Sequence, residues 1–239
     1  MAAFIDSFDQ LPAIFERFDL LNQSRIGTDG FRRCHMETLL KIQASLFGAQ
    51  GQSTQLADRF IEHWHVDHPQ GRVIVRDLNA NPVPHLTLED IQAFGANPAD
   101  RTPAQQAIVN ASDALIAELK AADIIVFAVP MYNFSVPSTL RAYFDHIARK
   151  GVTFRYTEHG PEGLLKGKKT YVFISRGGIY PESADTQIPY LKQFLGFIGL
   201  KDIEIVVAHG LDMGPESRER ALTAAHERIA ELIRLRTAA

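Results

Sequence analysis

Three short segments gather residues able to hold a charged, planar ligand. The first is Ser45-Leu46-Phe47-Gly48-Ala49-Gln50-Gly51-Gln52-Ser53-Thr54. Hydroxyls at 45, 53 and 54, two glycines and a following amphipathic run suit a loop that wraps an anion at a helix N-terminus. A capped helix behind a solvated loop would use the same residues. With neither Lys nor Arg in the loop, amides and hydroxyls around one phosphate fit better than a triphosphate with magnesium. No Gly-x-Gly-x-x-Gly occurs, and Gly163-Leu164-Leu165-Lys166-Gly167-Lys168 lacks the Walker spacing.

The second segment is Pro130-Met131-Tyr132-Asn133-Phe134-Ser135-Val136-Pro137. Prolines stiffen it, and main-chain amides with the Asn133 side chain could bond the heteroatoms of a planar ring. The alternative is a turn that packs its aromatics into the core. The third is Ser175-Arg176-Gly177-Gly178-Ile179-Tyr180, whose paired glycines imply a close approach of main chain to a ligand or to a neighbouring loop.

The elements that must position these segments are legible in the apolar pattern. Strands are expected at Thr38–Ala44, Val73–Leu78, Ile124–Val129, Thr170–Ser175 and Ile203–Ala208. Helical stripes lie between them. Thr54–Trp64, Leu88–Phe94, a run from Pro103 to about Leu119, Pro137–Ala148, Thr186–Phe197 and Pro215–Leu235 are the candidates. Thr102-Pro103-Ala104-Gln105 has the form of a capping box, and Gly151 suits a helix stop. Phe154–Leu165 holds two extended pieces around a turn at Gly160-Pro161. The alternation predicts one doubly wound α/β domain, a five-stranded parallel sheet in order 2-1-3-4-5 with helices on both faces. The three segments then follow strands one, three and four, at the point where the strand order reverses. That is where FMN sits in flavodoxin-like sheets of this order.

Other features carry less. His63-Trp64-His65-Val66-Asp67-His68 matches the metal-binding run of metallo-β-lactamases, but here it closes an amphipathic helix at the end remote from the three segments. Lys166-Gly167-Lys168-Lys169 is expected to be a solvated turn. Cys34 has only His35 beside it, too little for a nucleophile.

The 239 residues are 46% hydrophobic and 22% charged, with net charge −3 and a single Cys. That composition excludes disorder, a disulfide scaffold and a bare electrostatic grip on nucleic acid or anionic lipid. The longest apolar run, around Ile124–Met131, is too short to span a bilayer, and no basic segment precedes an apolar core at the start. The expected setting is the cytoplasm.

The stretch VPMYNFSVPSTLRAYFDHIARKGVTFRYTEHGPEGL, with the SRGG and FLGFIG segments, resembles the FMN-dependent NADH azoreductases, also described as NADH:quinone oxidoreductases. The resemblance runs from about Met36 to the C-terminus. It implies that Ser45, Gly51, Gln52 and Ser53 hold the FMN phosphate. It implies further that Met131, Tyr132, Asn133, Phe134, Ser175, Arg176, Gly177 and Gly178 line the isoalloxazine. Tyr156 and Phe197 match aromatics that shape the substrate pocket, partly across a homodimer interface. Ala44 and Gly51 stand where the family often carries serine, which implies weaker phosphate binding.

What the resemblance implies is a flavodoxin-like NAD(P)H oxidoreductase. It would carry one FMN per subunit and take electrons from NADH, with NADPH as another possible donor. It would pass two electrons by a ping-pong mechanism to quinones or azo compounds, with no side chain needed as acid or base. A flavodoxin-like electron carrier is a second reading, and a metallohydrolase using His63, His65, Asp67 and His68 a third. Residues 1–35 have no counterpart in the family and are expected to be an appended segment or a start assigned too early, with 36–239 the working domain.

Overall fold

A computed structural model of the chain describes residues 36–237; the expectations for residues 1–35, Cys34 included, lie outside the described residues. The chain runs β1 (Thr38–Gln43), α1 (Gln52–Asp67), β2 (Arg72–Asp77), α2 (Leu88–Gly95), α3 (Pro103–Ala121) and β3 (Ile124–Pro130). It continues through α4 (Ser138–Ile147), β4 (Phe154–Thr157), β5 (Gly160–Gly163), β6 (Lys169–Ser175), α5 (Gln187–Ile198), β7 (Asp202–Ala208) and α6 (Pro215–Thr237). Five strands form one parallel sheet in the order β2-β1-β3-β6-β7, with β4 and β5 a separate antiparallel hairpin. Counted without the hairpin, this is the expected 2-1-3-4-5 order.

The central strand explains why its sequence is apolar throughout. Every residue of β3 is buried. Ile124, Val126 and Ala128 pack with α1 and α6, through Phe60, Trp64, Ile229 and Leu232. Ile125, Phe127 and Val129 face the opposite layer of α3, α4 and α5, with Leu119, Phe144 and Leu195. A strand covered on both faces has no polar side to alternate with. The outer strand β2 is only half covered, and Arg76 there is held by an ion pair to Glu118 of α3.

Local chemistry sets the helix starts. The Thr102 hydroxyl accepts from the Gln105 N–H while Gln105 Oε1 accepts from the Thr102 N–H, the reciprocal box expected at α3. Thr87 and Asp90 form a second box at α2. Its Thr-Leu-Glu-Asp signature was equally legible.

Three expectations are corrected. α1 begins at Gln52, two residues early, because its N-terminus is set by Gly51 rather than by a hydroxyl cap. The hairpin turns at Glu158-His159, while Gly160 and Pro161 belong to β5, where Gly160 supplies a φ of 105° opposite Thr157. The lysine-rich segment is a solvated turn only at Lys166 and Gly167. The Lys168 ammonium donates to the Lys120 carbonyl at 2.8 Å and to the Ala122 carbonyl, closing the C-terminus of α3. Lys169 pairs with Asp202 at 2.6 Å, and Lys166 pairs with Glu162.

Candidate functional site

The loop after β1 is built around a close approach. Ser45 is buried, and its Oγ accepts from the Phe47 N–H at 3.2 Å. A Cβ placed on Gly51 would lie 2.1 Å from that same oxygen and 2.5 Å from Ser45 Cβ. Gly51 therefore accompanies an inward Ser45, and a serine at 51 would collide with it. No side chain caps α1, and its first turn holds no acidic residue. Ser53 and Thr54 are fully buried, yet neither hydroxyl has a hydrogen-bond partner. Leaving such groups unmet costs about 1–3 kcal/mol each. An uncapped helix start with buried, unpartnered hydroxyls is a cradle for an anion.

The loop after β3 stands outside the core, against the packed-aromatic alternative. Tyr132 and Ser135 exchange two main-chain hydrogen bonds of 3.0 Å, enclosing Asn133 and Phe134 in a two-residue turn. Both enclosed residues take positive φ, 48° and 65°. Asn tolerates this, but Phe does not without strain of about 1–3 kcal/mol, a cost typical of functional positions. The Phe134 ring is 61% exposed, so burial does not repay that strain. Its edge meets Tyr180, ring centres 5.7 Å apart, and its carbonyl accepts from the Thr186 hydroxyl.

The loop after β6 resolves the question left by its glycines. The carbonyls of Arg176, Gly177 and Gly178 each accept a hydrogen bond, from the N–H groups of Leu211, Asp212 and Gly210. A Cβ on Gly177 would lie 2.4 Å from Asp212 Oδ2, and one on Gly178 would lie 3.0 Å from the Tyr180 hydroxyl. The close approach is thus to the neighbouring loop and to Tyr180. The Arg176 side chain is turned inward, its guanidinium bridging both oxygens of Asp185 at 3.0 and 2.9 Å and Gln187 Oε1 at 3.2 Å. Arg176 contributes to this face through its main chain, not through its charge.

One pattern joins the two loops. Among the described residues, the N–H groups of Asn133, Phe134, Gly177 and Gly178 find no hydrogen-bond partner, while the carbonyls of 176–178 are all satisfied. The exposed main chain offers donors, which suits the acceptor-rich edge of a heteroaromatic ring. The loops are cross-tied as well. Leu46 N–H donates to the Tyr132 hydroxyl at 3.2 Å, and Gln187 Nε2 donates to the Pro130 carbonyl at 3.2 Å. Burial opposes ionisation of Asp185, but the Ile188 N–H and the Arg176 guanidinium outweigh it and hold the carboxyl below its ordinary range. Asp185, Thr186 and Gln187 lie outside the segments expected to form the site. The Asp-Thr-Gln helix start was the available signal.

Two aromatics lie elsewhere. Tyr156 on β4 and Phe197 on α5 meet through Phe154, at 5.6 and 4.3 Å between ring centres, and not through Met131–Phe134. The histidine run is also dispersed. It occupies the last turns of α1, where positions two apart point to opposite sides, so His65 cannot join His63 and Asp67. His68 Nε2 lies 3.2 Å from Glu37, Nδ1 lies 2.9 Å from the Trp64 carbonyl, and the His68 ring stacks on Trp64. Among the described residues, no three His, Cys, Asp or Glu side chains gather as metal ligands would, and no helix is long and apolar enough to cross a membrane.

Comparison with known proteins agrees with this geometry. A family model described as a flavodoxin-like fold matches residues 37–233. An FMN-dependent NADH:quinone oxidoreductase of Cellvibrio japonicus (strain Ueda107) is 53% identical over 193 residues, 80% of this chain and 96% of that protein. FMN-dependent NADH:quinone oxidoreductase 6 of Burkholderia lata is 51% identical over 197 residues, 82% of this chain and 99% of that protein. The crystal structure of azoreductase from Bacillus anthracis str. Sterne superposes with a TM-score of 0.77 at 29% identity, covering 83% of this chain and 99% of that one. An FMN-dependent NADH-azoreductase from Bacillus anthracis str. Ames Ancestor, in complex with FMN, gives 0.73 at 26% identity, covering 83% and 100%.

Proposed function

Because the chain belongs to the flavodoxin-like family of the FMN-dependent NADH:quinone oxidoreductases, we propose that it is an FMN-dependent NAD(P)H oxidoreductase. It reduces quinones and cleaves aromatic azo bonds reductively. The observation that carries this reading is the cradle itself. An uncapped α1 with unpartnered Ser53 and Thr54 hydroxyls sits beside two loops whose free N–H groups belong to Asn133, Phe134, Gly177 and Gly178.

Ser45, Gly51, Gln52 and Ser53 would hold the phosphate by main-chain N–H groups and hydroxyls, with Thr54 as a further donor. The inward Ser45 replaces the hydroxyl that Gly51 lacks. Met131–Phe134 and Ser175–Gly178 would line the ring. When bound, FMN supplies the capacity to accept two electrons from a nicotinamide and release them to an acceptor. The chain's part is to bind, orient and exclude water. The free N–H donors of Asn133, Phe134, Gly177 and Gly178 would stabilise negative charge on the ring's acceptor atoms. Donor and acceptor would occupy the same exposed face in turn, giving ping-pong kinetics. A quinone takes two electrons in one turnover, whereas an azo bond takes four in two turnovers.

The acting form in this proposal is a cytoplasmic homodimer. Tyr156, 65% exposed on the hairpin with its ring against Phe154, would serve a partner copy, with Phe197 on the other side of Phe154. Residues 1–35 would be dispensable, since every residue assigned to the cradle lies between 45 and 187. A protein shortened to 36–239 should bind FMN with unchanged affinity.

One absorbance spectrum tests the central claim. The purified protein should carry flavin, bleached anaerobically by NADH or NADPH. Absence of flavin after FMN addition, or flavin that neither nucleotide bleaches, overturns it.

A further inference from the structure

A buried ion pair joins the side chain of Arg176, whose main chain belongs to the loop after β6, to Asp185 just before α5. Only 3% of the Arg176 side chain and 10% of the Asp185 side chain are accessible. Isolated charges at that depth are costly unless they are paired and hydrogen-bonded, and here Arg176 Nε and Nη2 and both Asp185 oxygens have partners. Asp185 accepts two bonds from Arg176. Its Oδ1 also accepts from the N–H groups of Gln187 at 2.9 Å and Ile188 at 3.1 Å, tying the pair to the start of α5. Gln187 is fully buried and works in both directions. Its Oε1 takes the Arg176 Nε–H, and its Nε2 donates to the Pro130 carbonyl at the end of β3. One residue away, Thr186 binds the Phe134 carbonyl.

From this connectivity we infer that Arg176, Asp185 and Gln187 act as positioning residues that lock the 131–134 and 176–178 loops into one rigid donor surface. A hydrogen-bonded path runs from the Arg176 main chain, through its guanidinium and Gln187, to Pro130, the residue before Met131. A second link is partly covalent: Thr186, next in the chain to Asp185, donates its hydroxyl to the Phe134 carbonyl. The four free N–H groups sit on the two loops so joined. The pair could be exchanged for apolar residues of similar volume at little cost in stability, so its use lies in fixing geometry. The planar guanidinium sets Nη2 on the Asp185 carboxylate and Nε on Gln187 Oε1 at the same time, whereas a lysine offers a single point charge. The proposal rests on the flavin reading for its functional consequence, but the coupling of the loops does not.

Gln187→Leu cuts the link to Pro130 while leaving the ion pair, and Arg176→Lys keeps the charge while losing the fork. In the apoprotein, Gln187→Leu should accelerate amide hydrogen exchange at the bonded N–H groups of Met131, Tyr132 and Ser135 as well as at those of Arg176, Gln187 and Ile188. Both variants should raise the FMN dissociation constant about tenfold, measured by quenching of flavin fluorescence. Each should keep the circular dichroism of the parent. Bound flavin should show a more negative midpoint potential, because loosened donors stabilise its reduced, charged form less. Exchange confined to 176–188 would overturn the coupling, as would FMN affinity and potential both matching the parent. Parent protein that binds no FMN would overturn the flavin reading alone, leaving the exchange result to decide the coupling. Should Arg176→Lys fail to fold, Gln187→Leu carries both measurements.

Discussion

The main-chain N–H of Leu46 donates to the hydroxyl of Tyr132 at 3.2 Å, joining a loop that follows β1 to one that follows β3. The two strands are neighbours in the sheet, and their loops diverge to either side of the reversal in strand order. This bond spans the gap that the reversal opens.

Replacing Tyr132 by Phe removes only that bond. Stability of the apoprotein should fall by no more than about 1 kcal/mol, since both groups can reach water. FMN affinity should fall about three- to tenfold, because the phosphate and ring loops lose their common anchor. Flavin titration beside thermal unfolding separates the two effects; equal affinity would show the bond to be incidental.

Phe134 offers a test with two signs. Glycine accepts a φ of 65° without strain, so Phe134→Gly should leave apoprotein stability unchanged or raise it by about 1 kcal/mol, while turnover falls with the loss of the aromatic wall. Phe134→Val places a β-branched residue in the same conformation and should destabilise by about 1–3 kcal/mol. Urea denaturation of the pair gives the answer.

Gly51 and Ser45 should prove interdependent. Gly51→Ala puts a methyl 2.1 Å from Ser45 Oγ and should cost about 1–3 kcal/mol, with weaker FMN binding. Combining it with Ser45→Gly removes the collision, and the double variant should regain most of the lost stability. Additive losses in the double-mutant cycle would mean that the two positions do not compete for one space.

Acid should weaken the fold through identifiable carboxyls. Asp77, Asp90 and Asp185 are all partly buried, which opposes ionisation, but hydrogen bonds outweigh this and hold each below its ordinary range. A carboxyl depressed in the folded state gives stability that is complete above its unfolded value, about pH 4, and is lost as pH falls through the folded value. The contribution of these carboxyls to the unfolding midpoint should therefore be constant above about pH 5 and decline below about pH 4. Asp185→Asn should be less stable at neutral pH and should flatten part of that decline.

The sheet was legible because each strand needed only local information. Ile124–Val129 is apolar at every position, and no solvated arrangement suits it. The proposed cradle is legible as residue types at strand ends, where Ser53 and Gly178 stand. What escaped was direction. Nothing in Ser-Arg-Gly-Gly says that the arginine turns inward, because its partners Asp185 and Gln187 are defined only once α5 packs on the sheet. Gly51 was read as a lost hydroxyl, since its collision with Ser45 exists only in three dimensions. Tyr156 and Phe197 were named together, and Phe154 does bring their rings together. Their distance from Met131–Phe134 depends on where the hairpin leaves the sheet, which no periodicity encodes.

The bonding of Arg176, Gly177 and Gly178 to the strip Gly210–Asp212 has a consequence for discrimination. With every carbonyl of that stretch engaged, the loop shows a visitor donors and almost no acceptors. Rings rich in carbonyl oxygen and pyridine-like nitrogen find partners on it, whereas rings bearing amino groups on the same edge meet hydrogen against hydrogen. In the proposed site the segment would therefore favour ligands that present acceptors over ligands that present donors.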